Sequence, residues 1–253
     1  MIVLKSRREI NIMYEANQIV AETLAYLKEE IVPGITTSHI NRLGEEFIEG
    51  KGAEPSFRGY RGYPASVCVS INEEVVHGIP SDERTLEDGD IVSLDIGAFY
   101  RGFHGDAART FAVGTISREA KELIDITERS FFTGLQKVEC GNHLSDISHR
   151  IQSFVENKNY SVVREYVGHG IGRDMHEDPQ IPNFGPPGRG PKLKPGMTVA
   201  IEPMVNIGGY EVKTLADGWT VVTSDKSLSA HYENTIAVTE NGPEILSIID
   251  NNN

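Results

Sequence analysis

Cysteine is almost missing from this chain: Cys68 and Cys140 are the only two in 253 residues. Two thiols cannot build a disulfide framework, and such sparse use suits a reducing compartment. A positive balance is missing too, since 24 Lys and Arg face 37 Asp and Glu for a formal charge of −13. That argues against a nucleic-acid surface as the main function, so no specific nucleic-acid partner is expected. Lys5, Arg7 and Arg8 cluster near the start, where they read as a solvated helix end. No run approaches a membrane span, and the opening MIVLKSRREINIM has no apolar signal core. A cytoplasmic protein without a membrane partner is expected, with a monomer as the default. What is present is ordinary for a soluble globular protein, 39% hydrophobic and 24% charged. The length allows one large α/β domain or two small ones.

The stretch Val92–Asp106, VSLDIGAFYRGFHGD, reads as a β-hairpin bearing two inward carboxylates, Asp95 and Asp106. Ser93, Asp95 and Gly97 alternate with Val92, Leu94 and Ile96, so one face is apolar and the other carries the acid. A turn centred on Tyr100–Arg101 would set Asp106 opposite Asp95. Arg101–Gly102 is better turn chemistry and would shift the register by a residue, which a bulge at Gly97 or Gly105 could absorb. Facing buried acids are stable only with a shared proton or a cation between them.

The spacing predicts a helix over 6–31, capped by Ser6, with Ile10, Met13, Val20, Leu24 and Leu27 on one face. A second begins at Thr37, with Ile40, Leu43 and Phe47 inward, and stops at Gly50 and Gly52. A Gly- and aromatic-rich loop, 57–63, precedes a strand over 66–71 and the segment EEVVHGIP. Helices are predicted over 117–138 and about 145–156. Strand-like SVVREYVGHGIG ends near His169. Residues 175–196 read as a long irregular loop, of the kind that is usually functional. A strand over 197–205 carries Glu202, and a hairpin over 219–238, turning at Asp225–Lys226, carries Glu233.

The two halves echo each other at an offset of 107 residues: Gly34 with Gly141, Ile40 with Ile147, Phe47 with Phe154, Gly89 with Gly196, Leu94 with Ile201, Asp95 with Glu202. Chance agreement is the plain alternative, but two matching acids on matching strands favour duplication. A pseudo-twofold would bring both acid strands to the centre of one continuous sheet. Residues 1–253 are expected to form a single catalytic domain with pseudo-repeats of about 1–115 and 116–253.

Asp95, Asp106, Glu202 and Glu233 converging in an apolar sheet cannot stay ionised without cations. With His169 they make five oxygen-rich ligands, too many for one tetrahedral metal and enough for two if carboxylates bridge. Such ligands suit Mn, Co, Fe or Zn. Paired metals about 3.5–4 Å apart activate water for hydrolysis of an amide or ester. Taken singly, Asp95 and Asp106 are equally turn acids, Glu233 a solvated strand residue and His169 a capping or core histidine.

At these residues the chain resembles the type I methionine aminopeptidases, in the short bacterial form without an N-terminal zinc-binding extension. The matching stretches are GYPASVCVSINEEVVHGIP, GDIVSLDIGAFYRGFHGDAARTF, VGHGIGRDMHEDPQIPNF, GMTVAIEPMV and HYENTIAVTENGPEIL, which cover nearly the whole chain. The large insertion of the type II enzymes has no room between His169 and Glu202. The resemblance implies the pita-bread fold, an α/β (α+β) architecture in which a curved antiparallel sheet is backed by two helix pairs. It implies a metalloexopeptidase, a hydrolase that removes the N-terminal methionine of nascent chains and peptides when the second residue is small.

By the same resemblance Asp106 and Glu233 would bridge two divalent metals, Asp95 would complete one site, and His169 and Glu202 the other. A water held between the metals would attack the carbonyl after methionine, with Glu202 as proton shuttle. His176 would donate to the scissile carbonyl or oxyanion, and His77 would contact the scissile nitrogen. The methionine pocket would be Phe57, Tyr60, Tyr63, Cys68, Met175 and Trp219, since a thioether packs well on aromatic edges. On residue type alone Tyr60 and Tyr63 are equally loop packing, Cys68 a plain buried residue and His77 a strand-end histidine. Some members of the family hold a monovalent cation near the equivalents of Asn72 and Ser229. Nascent chains as substrate imply docking near the ribosomal exit tunnel, to which the acidic balance lends nothing. The rivals are an Xaa-Pro aminopeptidase or dipeptidase of the same fold, which usually carries an extra N-terminal domain, and a non-catalytic protein- or RNA-binding relative, which typically loses ligands.

Overall fold

Ser6 starts the first helix with a capping box: its hydroxyl accepts the Glu9 N–H, and the Glu9 carboxylate reaches back to the Ser6 N–H. In the computed structural model, which describes residues 1–249, helix α1 (Arg7–Glu30) buries the predicted stripe. Thr36 caps α2 (Thr37–Gly50) through the His39 N–H. The buried stripe of α2 is Ile40, Gly44 and Ile48 rather than Ile40, Leu43 and Phe47. Gly44 explains the rotation. A Cβ there would lie 2.6 Å from the Val67 side chain, so the helix meets the sheet where it has no side chain. Phe47 instead stacks on Tyr26 at 5.0 Å.

The chain continues through β1 (Glu54–Pro55), a 3-10 turn at Tyr60–Gly62, β2 (Val67–Ile71), β3 (Glu74–Val76) and the hairpin β4 (Ile91–Tyr100) and β5 (Phe103–Ala112). The hairpin turns at Arg101–Gly102, with φ of 51° and 88°, the left-handed pair that a tight hairpin favours. Asp106 therefore pairs with Gly97, and Asp95 with Ala108. The acids are diagonal neighbours rather than directly opposite. The partner of Asp95 moves by two residues rather than the expected one, so both acids stay on one face and no bulge at Gly97 or Gly105 is needed.

Ser117 caps α3 (Arg118–Leu135), and α4 (Leu144–Glu156) follows. Segment 161–172 is two strands, β6 (Ser161–Val162) and β7 (Gly168–Gly170), and the expected long loop contains β8 (Glu177–Ile181). The expected strand over 197–205 breaks at Glu202–Pro203 into β9 (Thr198–Ile201) and β10 (Met204–Asn206). The final part holds β11 (Val212–Thr214), β12 (Val221–Thr223), β13 (Ser229–His231), β14 (Asn234–Thr239) and β15 (Gly242–Ile245). The expected hairpin over 219–238 is not formed: β12 pairs with β11 and β3, whereas β13 pairs with β10 and β14 with β9.

All these pairings are antiparallel, but they form four short sheets instead of one continuous one. Glu202 and Glu233 lie at matching seams, each between a strand of the five-stranded sheet and a strand of a three-stranded one. The offset of 107 recurs in the backbone. The lone bridge Thr36–Thr85 is matched by His143–Lys192. Gly34 N–H donates to the Leu86 carbonyl at 2.8 Å, and Gly141 N–H to the Leu193 carbonyl at 3.0 Å. α1 and α2 cover one core with Ile40 and Leu94, and α3 and α4 cover another with Ile147 and Ile201. Among the described residues no helix is long and apolar enough to cross a membrane.

Candidate metal centre and its cavity

All five predicted ligands line one cavity of about 370 Å³ between the two halves. Asp106, His169 and Glu233 each offer a ligand atom within 4.8 Å of the others. His169 Nε2 lies 3.6 Å from Asp106 Oδ2 and 3.6 Å from Glu202 Oε1. Its Nδ1 is 2.9 Å from the Gly170 carbonyl. A carbonyl only accepts, so Nδ1 carries the proton and Nε2 is left as a lone pair aimed at the acids. Asp95 reaches the group from the same hairpin face as Asp106.

Side chains bind backbone groups of Asp106, Glu202 and Glu233. Asp106 N–H donates to Asn17 Oδ1 at 3.2 Å, and Thr235 Oγ1 donates to the Asp106 carbonyl at 2.9 Å. Asn183 Nδ2 donates to the Glu202 carbonyl at 3.0 Å. The half-buried Arg109 donates through its guanidinium to the Glu233 carbonyl, and at 2.6 Å to Asn234 Oδ1. Glu233 N–H donates to the Ala108 carbonyl at 2.9 Å, which joins the two halves.

Burial pushes Asp106, Glu202 and Glu233 well above the usual carboxylate range, and the neighbouring acids push them further. Burial raises Asp95 to about 7, against the attraction of His169 and a hydrogen bond with Asp106. Burial also holds His169 below its ordinary value. Asp95 Oδ1, Asp106 Oδ1 and Glu233 Oε1 are buried without a hydrogen-bond partner. Orphaned carboxylate oxygens converging on an imidazole lone pair are a donor set that a divalent cation satisfies.

His77 and His176 line the same cavity. His77 has a left-handed φ of 60°, strain of the kind that functional sites retain. Its neighbour Gly78 passes so close to β2 that a Cβ would lie 2.2 Å from the Val69 carbonyl oxygen. The His77 ring meets Tyr166 edge-on at 5.5 Å, and burial lowers its pKa to about 4. His176 is solvent-exposed at the mouth yet hemmed in by rings. It stacks on Tyr60 at 5.2 Å, lies 4.1 Å from the His169 ring, and sets Nδ1 2.8 Å from Tyr60 Oη. Partial burial, then His169 and Arg61, lower it to about 3.

Phe57, Tyr60, Tyr63, Cys68, Met175 and Trp219 all line the cavity beside the acids and pack in one apolar cluster. Tyr63 meets Trp219 edge-on at 5.2 Å and donates to the Gly78 carbonyl at 2.8 Å. Burial pushes the Cys68 thiol well up, which keeps it neutral. Asn72 and Ser229 meet through the Ser229 N–H and the Asn72 carbonyl at 2.9 Å.

Sequence reasoning missed Val76, Tyr166 and His231, which also line the cavity. His231 had a signal, because it stands two positions before Glu233 in the same stretch. Gly97 was noticed only as a bulge candidate. Its role is spatial: a Cβ there would lie 2.8 Å from Phe57 Cε1 and 3.2 Å from Met175 Cε.

Residues 11–240 match the model of metallopeptidase family M24. The methionine aminopeptidase of Clostridium perfringens is 60% identical over 249 residues, covering 98% of this chain and 100% of that protein. The crystal structure of the methionine aminopeptidase from Thermotoga maritima is similar with a TM-score of 0.97 at 47% identity, covering 98% of this chain and 100% of that one. The prolidase from Pyrococcus furiosus has a TM-score of 0.80 at 24% identity, covering 98% of this chain and 66% of that one. At that identity the likeness extends to the fold alone.

Proposed function

Because the chain belongs to metallopeptidase family M24, we propose that Asp95, Asp106, His169, Glu202 and Glu233 would together hold two divalent metal ions. The protein is a metalloexopeptidase that uses divalent metal and removes the N-terminal methionine of peptides. Mn, Co, Fe or Zn suits the donor set. The observation that carries the reading is the shared cavity: the convergent acids and His169 form one part of its lining, and the Phe57–Trp219 cluster another.

When bound, the metals supply Lewis-acid activation of water and of the scissile carbonyl. Phe57, Tyr63, Cys68, Met175 and Trp219 enclose the methionine side chain and exclude water from it. Glu202 takes the proton of the attacking water at a carboxylate oxygen and passes it towards the leaving amine. His176, its Nδ1 held at Tyr60 Oη, presents Nε2 to the oxygen that gains charge. His77 contacts the scissile nitrogen. The wall of Val76, His77 and Tyr166 leaves room for Gly, Ala or Ser in second position and excludes bulky residues. Substrates of this kind are nascent chains in the cytoplasm, met near the ribosomal exit tunnel by a monomer.

The Xaa-Pro alternative is not favoured, since the methionine aminopeptidase relative is 60% identical and the prolidase 24%. A non-catalytic relative loses ligands, and all five are present. Metal-loaded protein should release methionine from Met-Gly peptides, spare Lys-Gly and Ala-Pro peptides, and stop after chelation. Release of alanine from Ala-Pro at a comparable rate would restore the rival, and no hydrolysis with any divalent metal would favour the non-catalytic one.

A further inference from the structure

Lys5 is no solvated helix end. Its side chain is 2% exposed and its ammonium pairs with Glu177, itself 11% exposed. The ammonium also donates to the Val3 carbonyl at 3.2 Å, and the Lys5 N–H donates to the Gly196 carbonyl at 2.7 Å. The other oxygen of Glu177 accepts the Arg173 N–H at 2.9 Å and the Asp174 N–H at 3.4 Å. Gly172 closes the packing, because a Cβ there would lie 2.4 Å from Lys5 Cε and 2.5 Å from Glu177 Oε1. The Gly172 carbonyl accepts the His104 N–H at 2.8 Å, which ties the turn to β5. Segment 172–177 is thus folded around one ion pair. It sends Met175 and His176 into the cavity, while Lys5 and Glu177 stay behind it.

We propose that Lys5 and Glu177 are positioning residues for the hydrolysis: their buried ion pair holds the 172–177 turn so that His176 faces the substrate. This rests on the reading of His176 as a group that touches the substrate. A buried ion pair adds little net stability over an apolar pair, whereas removing one partner leaves an uncompensated charge. What the pair contributes is therefore geometry rather than stability.

A double-mutant cycle of Lys5→Met and His176→Ala tests this, with kcat on a Met-Gly peptide and metal content measured for each protein. Lys5→Met alone should lower kcat about 10- to 100-fold, the scale of a displacement near 1 Å, with metal content unchanged. In the His176→Ala background the same change should cost less than about twofold. Equal losses in both backgrounds, or a wild-type kcat in Lys5→Met, would overturn the proposal. Lys5→Arg should restore most of the rate. Should Lys5→Met fail to fold, Glu177→Gln enters the cycle in its place with the same expectations. Amide exchange at Arg173 and Asp174 reads the turn directly: it should quicken in the variant, and unchanged exchange would overturn the proposal. A wild-type kcat in His176→Ala alone would remove the role read for His176, while the exchange still decides whether the ion pair holds the turn.

Discussion

One methyl group at Gly97 tests the methionine pocket. Gly97 lies on β4 opposite Asp106. Its Cβ would stand 2.8 Å from Phe57 Cε1, 2.8 Å from Ser56 Cβ and 3.2 Å from Met175 Cε. Carbon atoms pack at about 3.5–4.0 Å, so the ring and the thioether must retreat by roughly 0.5–1 Å. Overpacking of that kind costs about 1–3 kcal/mol. Phe57 and Met175 line the cavity, so on the proposed reading the cost falls on substrate. At about 1.4 kcal/mol per tenfold, Gly97→Ala should lower kcat/KM about 5- to 150-fold. Whatever part of the strain the free protein bears lowers Tm instead, by at most about 2–12 °C in a domain of this size. Steady-state kinetics on a Met-Ala peptide, thermal melts and metal analysis read the three outcomes, with metal content unchanged. A lowered Tm beside a wild-type kcat/KM would refute the reasoning, because Phe57 and Met175 would have moved without touching the substrate.

Asp106→Ala should abolish metal loading and activity, whereas Asp95→Asn should retain one ion per chain; metal analysis after dialysis distinguishes them. His77→Ala should cut kcat by about 100-fold, the low end for a general acid–base group, with metals retained; loss of the metals would show its role misassigned. In metal-free protein burial raises Asp95 to about 7 and Asp106, Glu202 and Glu233 above their usual range. Burial lowers His77, His169 and His176, so below about pH 6.5 the unfolded state takes up protons there and opposes the acids; above about pH 7 those histidines are neutral in both states, the folded acids still hold protons, and stability falls as pH rises. Chelated protein should therefore melt lower at pH 9 than at pH 7, and metal should abolish the difference; a chelated melt that is higher at pH 9 would contradict this.

Helix starts were legible because caps are local. Ser6, Thr36 and Ser117 each have a hydroxyl that accepts an N–H three residues on. The shared face of Asp95 and Asp106 was legible from period two, but their register depended on the turn at Arg101–Gly102, several residues from either acid. The buried face of α2 was misread because Gly44 adds nothing to an apolar pattern, while its lack of a side chain admits Val67. Pro203 directly after Glu202 signals a break in the sequence, whereas nothing in Ser229–Ile236 marks the one at Glu233. The pairing of β9 with β14 and β10 with β13 reveals the seams. β8 was hidden as a loop since it is an outer strand, alternating half-buried and exposed residues with Pro179 among them. The five candidate ligands were found through the repeat and the resemblance together. Lys5 was missed because its partner Glu177 is 172 residues away.

The most direct test of the account is the number of metal ions the cavity holds when active. Chelated protein titrated with Mn(II), with bound metal, electron paramagnetic resonance and methionine release followed together, should take up two ions per chain. It should show an exchange-coupled pair and reach full rate as that pair forms. Saturation at one uncoupled ion with full activity would contradict it.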